Sequence, residues 1–221
     1  MSNIVSQITG PVPQYLNCGA GVSLDISGPM SISIRCKIPV GDPAGYNSSS
    51  FLIVKDPTTY RYGIFLSGGI ALYIRLTING VKIAQWTGNP RDGLWHHIVG
   101  TFDGRYVRIY RDGNLIQTTD AGSADTITTG PGSLLTTGTV NWGGYITTQF
   151  SEIQVHNVCL SDSDVLYNNS HPNNPKRRGL VLNLTQDSIY GPTWLDLSGN
   201  ANNGTYVGGA VPVSSNRLAG R

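Results

Sequence analysis

Residues 92–116 read DGLWHHIVGTFDGRYVRIYRDGNLI, and this stretch decides the fold. It contains three Asp-Gly pairs, and Asp-Gly between alternating apolar runs is the strongest short signal for a β-hairpin. Between the pairs, apolar and polar side chains alternate as they do along a strand. The stretch therefore predicts a three-strand β-meander, with two-residue type I′ turns at Asp103-Gly104 and Asp112-Gly113.

The adjacent histidines raise the alternative of a metal or catalytic site. Successive side chains on a strand point to opposite faces of the sheet, so His96 and His97 cannot share one metal ion if the strand forms. Trp95 falls on the same face as His97, which favours a packing role for that histidine. We expect structural roles and no metal ligands among the following meander residues: Trp95, His97, Asp103, Gly104, Asp112 and Gly113.

Composition favours an all-β chain. The 221 residues suit one sandwich or barrel, so residues 1–221 are expected to form a single domain. Charged residues make up 13% of the chain, well below the usual level of about 25%, and the 28 glycines and 12 prolines supply many turn positions. Leu, Glu and Lys seldom recur at the spacing of an amphipathic helix, so a long helix is not expected.

Alternation and turn residues place further strands and one helix. The predicted strands cover 14–18, 30–38, 51–55, 62–66, 71–78, 81–86, 138–146, 150–156, 179–184 and 205–213. A short helix is predicted at 161–168, because Ser161 can cap it with Asp164 three residues on, and Pro172 ends it. The Thr- and Gly-rich segment 120–135 is weakly patterned, and we expect an exposed, mobile excursion there.

Charge points to no particular class of partner. Fifteen basic and 13 acidic residues give a net charge of +2. The one basic run, Lys176-Arg177-Arg178, follows a Pro/Asn loop, and short charge runs are usually solvated. Nucleic-acid-binding domains usually show a basic face interleaved with aromatic residues, so no nucleic-acid partner is expected.

The cysteines and the first residues bear on where the chain is made. Cys18, Cys36 and Cys159 lack zinc or redox spacing, and their odd number argues against a full disulfide framework. Cys18 and Cys36 lie in consecutive predicted strands, which leaves a disulfide open, although buried free thiols are favoured. MSNIVSQITGPVPQY shows no signal-peptide pattern, and no apolar run approaches 18 residues. We expect a chain made in the cytosol, without a membrane span.

The quoted stretch resembles the laminin-G-like jelly roll of the concanavalin A-like lectin and glucanase superfamily. Residues 95–113 are similar to that family's Trp-x-His, Phe-Asp-Gly, Tyr and Asp-Gly pattern. NWGGY at 141–145 resembles its Gly-Gly strand, and FSEIQVHNVCLSDSDV at 150–165 its late strand and short helix. QYLNCGAGVSLDISGPMSISIRCKI at 14–38 resembles its opening strands. The resemblance implies an all-β, two-sheet antiparallel jelly-roll sandwich with one short helix near 161–168.

One segment departs from the order of the family. GLVLNL at 179–184 and TWLDLSGNANNGTYVGG at 193–209 are similar to what commonly precedes the opening strands. A permuted order can build the same sandwich, because jelly-roll termini usually lie close together. A second, truncated module is the alternative, but the residues after 179 are too few to supply another core. We expect residues 179–213 to complete the sandwich in permuted order.

Glycosidases occur in the same superfamily, so hydrolysis needs a test. Glycoside hydrolysis ordinarily uses two carboxylates that flank the bond, about 5 Å apart or more. Glu152 is the only glutamate, and the Glu-x-Asp-x-x-Glu pattern of the family's glucanases is absent. Motifs for a nucleophilic serine, a phosphate-binding loop or a zinc protease are also absent. We expect no enzyme activity and no catalytic residue.

Two kinds of ligand are left open. Calcium takes about six to eight oxygen ligands, usually several from acids, and this chain offers few acids. The loop with Asp196, Asn200 and Asn202 is rich in oxygen, but Asx-turn capping explains these residues equally well. We therefore predict no cofactor, with calcium as the open alternative. A sugar usually stacks on an aromatic ring near loops, although packing within the sandwich is the competing role for such rings. The candidate ligand-binding residues are Trp142, Tyr145, Tyr60 and Tyr62.

The resemblance and the lack of a signal peptide together favour one setting. Modules of this family usually work outside cells, and particles that are built in the cytosol and released whole need no signal peptide. We expect a non-catalytic module at a virion or particle surface, such as a capsid decoration, turret or fibre component. Its partners would be copies of itself or other particle proteins, and host glycans. A lectin or adhesion module is the alternative, and a glycoside hydrolase the remote one.

Overall fold

The computed structural model describes residues 3–8, 14–40, 50–67, 73–79, 82–122, 126–128, 130, 132–137 and 148–215. In these ranges the chain forms two antiparallel sheets around a shared hydrophobic core, with one short α-helix against the outside of the first sheet. The predicted fold class, an all-β, two-sheet antiparallel jelly-roll sandwich with a short helix, is confirmed. The predicted strand at 138–146 lies outside the described residues.

Sheet A has eight strands in the described ranges, in the order β10-β9-β8-β3-β12-β1-β17, and β13 also pairs with β12. The strands are β1 (Asn3–Ile8), β3 (Met30–Lys37), β8 (Trp95–Phe102), β9 (Tyr106–Arg111), β10 (Asn114–Asp120), β12 (Thr148–His156), β13 (Leu180–Thr185) and β17 (Val211–Ser215). The central strands β8 and β12 are buried on both faces almost throughout. Sheet A therefore has a covered outer face as well as a core face.

Sheet B has nine strands among the described residues, in the order β14-β15-β16-β2-β11-β4-β5-β6-β7. The strands are β2 (Tyr15–Asn17), β4 (Ser50–Lys55), β5 (Tyr62–Ser67), β6 (Tyr73–Ile78), β7 (Lys82–Thr87), β11 (Leu135–Thr137), β14 (Ile189–Tyr190), β15 (Thr193–Trp194) and β16 (Gly204–Val207). Along β5, Ile64 and Leu66 face the core, so Phe65 between them faces outward. The outer surface of sheet B carries the candidate site described below.

The predicted meander is confirmed as β8, β9 and β10. Ile98 and Phe102 of β8 lie in the core between the sheets, whereas Val99 packs on the outer side with Tyr110 of β9. This is the alternation that the sequence predicts. It also places the side chains of neighbouring residues 96 and 97 on opposite faces.

The two Asp-Gly turns of the meander differ from each other. Asp112 and Gly113 both have positive φ, at 52° and 85°, as a type I′ turn requires. At 103–104 only the glycine has positive φ. The carboxylate of Asp103 instead accepts hydrogen bonds from the backbone N–H groups of Arg105 and Tyr106, at 2.9 and 2.7 Å. The predicted type I′ turn is therefore wrong at this position, because the aspartate side chain caps a longer loop.

The helix α1 (Asp162–Ser170) begins where the sequence predicts. Ser161 Oγ accepts a hydrogen bond from the Asp164 backbone N–H, and the Asp164 carboxylate accepts one from the Ser161 N–H, which completes a capping box. Val165 packs with Val99 and Tyr110 on the outer face of sheet A. No helix among the described residues is long and apolar enough to cross a bilayer.

The C-terminal strands enter both sheets. β13 pairs with β12, β16 with β2, and β17 with β1. Trp194 is fully buried in the shared core, and its indole N–H donates to the Thr185 carbonyl at 2.6 Å. Residues 180–215 are therefore part of the sandwich that the first strands begin. Their order relative to the family stays a prediction.

The segment predicted as an exposed, mobile excursion, 120–135, is attached to the sandwich in its described part. Ile127 is 2% exposed, and its N–H donates to the Ser27 carbonyl at 2.9 Å. Leu135 is fully buried in β11. Most of the described residues of this segment are exposed, as expected, but Ile127 and Leu135 are buried in the core. The expected mobility stays a prediction.

The cysteines are free. Cys18 and Cys36 are buried, and Cys159 is half-buried. Burial raises the pKa of the Cys18 and Cys36 thiols to about 12. Of the two alternatives that the sequence left open, the structure shows buried free thiols.

Candidate functional site

The four candidate ligand-binding residues differ in position and exposure. Trp142 and Tyr145 lie outside the described residues. Tyr62 is 1% exposed in the core, and its hydroxyl donates to the Leu24 carbonyl at 2.7 Å. That burial leaves its ring no surface for a sugar. Tyr60 is partly exposed and lies outside the core cluster, so it alone among the described candidates can meet a ligand.

Tyr60 stands in the turn between β4 and β5, which we call the 56–61 turn. Two of its non-glycine residues, Asp56 and Tyr60, have φ of 58° and 54°. Positive φ is uncommon for any side chain with a Cβ, and a bulky tyrosine rarely adopts it. The surrounding contacts must therefore hold this backbone in place.

Asp56 supplies those contacts. Its Oδ1 accepts hydrogen bonds from the Thr58 N–H and hydroxyl and from the Thr59 N–H, and its Oδ2 accepts from Arg61 Nε at 3.0 Å and Ser133 Oγ at 3.0 Å. Burial alone would raise the pKa of this carboxyl, but the hydrogen bonds outweigh burial and hold the pKa well below its usual range. Asp56 therefore stays ionised and holds the turn in one conformation.

Two neighbouring basic residues, Lys55 and Arg61, connect the turn to the segment that precedes β11. Lys55 is 1% exposed, and its Nζ donates to the Ser133 carbonyl at 2.6 Å. Burial lowers the pKa of that lysine. Arg61 Nη1 donates to the Thr128 carbonyl at 2.6 Å. The turn is thus fixed from both sides and does not depend on its own backbone bonds alone.

The Tyr60 ring rests on two phenylalanines of the outer face of sheet B. It stacks on Phe51 with ring centroids 5.2 Å apart and an interplanar angle of 30°, and it meets Phe65 edge-on at 5.9 Å. Phe51 and Phe65 are themselves opposite each other across β4 and β5, at 4.4 Å. Such aromatic pairs contribute about 0.5–1.5 kcal/mol beyond area burial. The ring therefore has a defined position at the surface.

Two polar residues precede Tyr60 in the same turn. Thr58 and Thr59 are exposed, so their side chains meet solvent beside Tyr60. The Thr58 hydroxyl donates to Asp56. A partly exposed aromatic ring on a rigid turn can stack on the apolar face of a sugar. Sequence reasoning found Tyr60 but missed Asp56 as the organising residue, although Asp-Pro in Asp56-Pro57 is a turn signal that could have pointed to it.

The oxygen-rich loop at Asp196 is used for turn capping. Asp196 Oδ1 accepts from the backbone N–H groups of Asn183 and Ser198, and Oδ2 accepts from the Asn202 N–H and the Ser198 hydroxyl. Among the described residues, no group of three or more His, Cys, Asp or Glu side chains is arranged to hold a metal ion. Calcium dependence stays a question for a chelator experiment.

The only glutamate lies in a buried polar cluster on the covered face of sheet A. Glu152 is 1% exposed, and its Oε2 accepts from Arg35 Nε at 3.1 Å, while its Oε1 is 3.8 Å from His97 Nε2. Burial raises the pKa of Glu152 to about 7, and burial with the Arg35 charge lowers the pKa of His97 to about 3. At this exposure the carboxylate has no surface that a polysaccharide could contact.

Comparison with known proteins identifies the family to which the chain is similar. Residues 13–166 match the concanavalin A-like lectin/glucanases superfamily. No curated protein that was compared matches the chain significantly. Among solved structures, a candidate carbohydrate-binding protein from Bacteroides ovatus ATCC 8483 has a TM-score of 0.71 and 17% identity over 96% of this chain, which spans 60% of that protein's chain.

Two further solved structures are similar. A native heptameric SAP-like pentraxin from Limulus polyphemus has a TM-score of 0.67 and 13% identity, with 99% of this chain and 97% of the pentraxin covered. The binding domain of Paraclostridial Mosquitocidal Protein 1 has a TM-score of 0.55 and 16% identity, with 78% and 48% covered. At these identities the likeness concerns the fold alone. The family match covers well over half of the sequence, and the chain belongs to the concanavalin A-like lectin/glucanases superfamily.

Proposed function

We propose that the protein is a non-catalytic glycan-binding module in which a sugar stacks on Tyr60. The observation that carries the proposal is the 56–61 turn, which holds a partly exposed tyrosine at φ 54° beside two exposed threonines. Each non-glycine residue in such a conformation costs on the order of 1–3 kcal/mol, and strain of this kind gathers at ligand sites. A turn fixed before binding loses little conformational entropy when a ligand arrives.

The names of two similar proteins support this proposal. The Bacteroides ovatus protein is described as a candidate carbohydrate-binding protein, and the Paraclostridial fragment as a binding domain. Both are binding modules by name and have the same sandwich. The buried position of Glu152 supports the non-catalytic part, because hydrolysis needs carboxylates that flank an accessible bond.

The setting that we propose is the surface of a virion or other particle, where the module binds copies of itself or other particle proteins. The Limulus pentraxin, which has a similar fold, is a heptamer. In this chain, β10 is exposed along most of its length and pairs with β9 alone among the described strands. An edge strand with unpaired backbone groups is a template for pairing with another chain.

A glycan array tests the binding proposal. We expect the purified protein to bind a subset of glycans and Tyr60→Asn to abolish that binding, since asparagine tolerates positive φ but has no ring. Tyr60→Phe should retain most of the binding. Tyr190→Ala is the matched control, because Tyr190 is 64% exposed but lies in β14, an edge strand of sheet B that is separated from β4 and β5 by several strands.

Three outcomes would change the proposal. Binding that survives Tyr60→Asn but is lost with Trp142→Ala would transfer the site to the 141–145 segment. Binding lost on addition of a chelator would make it calcium-dependent. Release of reducing sugar that Glu152→Gln abolishes would contradict a non-catalytic module.

Light scattering of the purified chain tests assembly. We expect oligomers, and Thr118→Lys should yield monomers because a lysine on an edge strand opposes pairing with a second strand. Thr118 is exposed in β10, so the fold should tolerate the change. A wild-type chain that stays monomeric at every concentration would contradict self-assembly and leave the glycan proposal standing.

A further inference from the structure

A cavity lies on the outer face of sheet A, on the opposite side of the sandwich from Tyr60, between β9 and the beginning of α1. It is broadly open to solvent, and its volume is about 660 Å³. Arg108 and Tyr110 point into it from the outer face of sheet A, because Val107 and Ile109 face the core. We call it the β9–α1 cavity.

Hydrogen-bond donors line one part of this cavity. Arg108 donates through Nη1 to Asp103 at 2.7 Å, and Arg178 donates through Nη2 to Asp164 at 3.3 Å and to the Cys159 carbonyl at 3.2 Å. Among the described residues, these are the only hydrogen bonds of the two guanidinium groups. Each guanidinium has five N–H donors in a fixed plane. Both arginines are therefore anchored by one nitrogen and keep further donors for a ligand.

Acceptors line the other part. Asp162 Oδ1 accepts from the Tyr110 hydroxyl at 2.8 Å, and its second oxygen has no hydrogen bond within the described ranges. Tyr110 is 1% exposed, so it fixes the orientation of that carboxylate from below. The hydroxyls of Ser161 and Ser163 lie 3.0 Å apart at the cavity wall and can each donate or accept.

The charges around the cavity nearly balance. The two arginines face Asp103 and Asp164, and the remaining carboxylate, Asp162, lies in the first turn of α1, where the helix dipole favours a negative charge. A ligand with a net charge would gain little from such surroundings. A neutral ligand whose groups both donate and accept fits better, because it can bond the guanidinium N–H groups and the Asp162 oxygen together. Sugar hydroxyls have this property.

We propose that the β9–α1 cavity is a second glycan-binding site, which takes one neutral sugar residue between Arg108, Arg178 and Asp162. It extends the proposed function from one face of the sandwich to both. A module with sites on opposite faces can bridge two glycan chains, which raises the avidity of an array of such modules.

Titration with the methyl glycosides of glucose, galactose and mannose, followed by backbone-amide NMR, tests the inference. We expect the amides of residues 159–164 to shift and saturate with at least one glycoside. Ser163→Trp, which places an indole at the cavity wall, should raise the apparent dissociation constant by at least about tenfold. Ser170→Trp is the matched control at the other, exposed end of α1 and should leave the titration unchanged.

Salt and a second variant complete the test. Saturation should be the same at low and high ionic strength, because a neutral ligand is not screened, and it should persist in Tyr60→Asn. Amides of 159–164 that do not shift with any of the three glycosides would overturn the inference. The inference would also be overturned if these amides shifted with methyl glucuronide instead, and if that binding were lost at high ionic strength. Array binding that depends on Tyr60 would survive either result, so the two proposals fail separately.

Discussion

The surroundings of Glu152 raise the pKa of its carboxyl group. Its pKa of about 7 lies above the ordinary 4.5 because burial disfavours the charged form, although Arg35 partly offsets this. The folded protein therefore keeps a proton between pH 4.5 and about 7 that the unfolded chain has lost. In that window the contribution of Glu152 to stability falls as the pH rises.

The variant Glu152→Gln should remove this pH dependence. Glutamine keeps an oxygen that can accept from Arg35 but does not titrate. We expect the unfolding free energy of the wild type, relative to the variant, to fall by about 1–3 kcal/mol as the pH rises from 4.5 to 7. Urea unfolding at a series of pH values measures it, and parallel curves for the two proteins would refute the assignment.

His96 stabilises the fold through its charged form, whereas Glu152 favours its neutral form. Its Nδ1 is 2.8 Å from Asp112 and its Nε2 is 2.9 Å from Asp92, and the hydrogen bond with Asp112, against burial and with help from Asp92, raises its pKa. Its charged form therefore stabilises the fold fully below pH 6.5, and this contribution is lost as the pH rises through the raised pKa.

His96→Asn should therefore lose stability in acid rather than in alkali. We expect a loss of about 1–2 kcal/mol below pH 6.5 that shrinks at high pH, as measured by thermal unfolding across the pH range. An equal loss at every pH would point to packing with Trp86 instead.

The sequence predicted part of this chemistry. Strand alternation showed that His96 and His97 point to opposite faces, because that follows from backbone geometry alone. It did not predict the hydrogen bonds of His96 with Asp92 and Asp112, because the two aspartates lie in different turns that only the fold brings together. Applied to the predicted strand 62–66, the same alternation places Tyr62 on the face of the apolar Ile64 and Leu66, and so could have separated it from Tyr60 in the preceding turn.

At the scale of the element, β4 and β5 approach each other closely at Gly63. A Cβ there would lie 2.6 Å from the Ile53 carbonyl oxygen and 3.0 Å from the Val54 Cα, and both are backbone atoms that cannot swing away. We expect Gly63→Ala to destabilise the protein by about 1–3 kcal/mol in chemical unfolding. Gly28→Ala, where nothing lies within 4 Å, should change stability by less than about 0.5 kcal/mol. Similar values for both would contradict the close approach.

The elements differ in how well the sequence predicted them. β3 and β8 were predicted from eight-residue alternation, and α1 from the reciprocal bonding of Ser161 and Asp164, since both signals are local. β1 was not predicted, because its apolar residues Ile4, Val5 and Ile8 do not alternate with polar ones, and its partners, β12 and β17, lie far along the chain. Local sequence patterns predict individual strands and helices, but they do not show which distant strands pair.

For the whole molecule, the C-terminal strands decide whether the sandwich closes. We expect a chain that ends at residue 178 to lose its cooperative unfolding transition, because β12, β2 and β1 then lose β13, β16 and β17 as partners. The fully buried Trp194 would be lost with them. Circular dichroism during thermal unfolding measures this. A shortened chain that unfolds cooperatively at the wild-type temperature would favour a separate module after 179.

The pairing of β1 with β17 also has a kinetic consequence. Asn3 lies opposite Ser215, so strands from the two ends of the described chain lie side by side, and β1 meets its other partner only at residues 148–150. Contacts between residues so distant in sequence make folding slow, because a long loop must close before the contact forms. During synthesis the first strand must wait until most of the chain has left the ribosome. In that interval it is open to mispairing with other nascent chains.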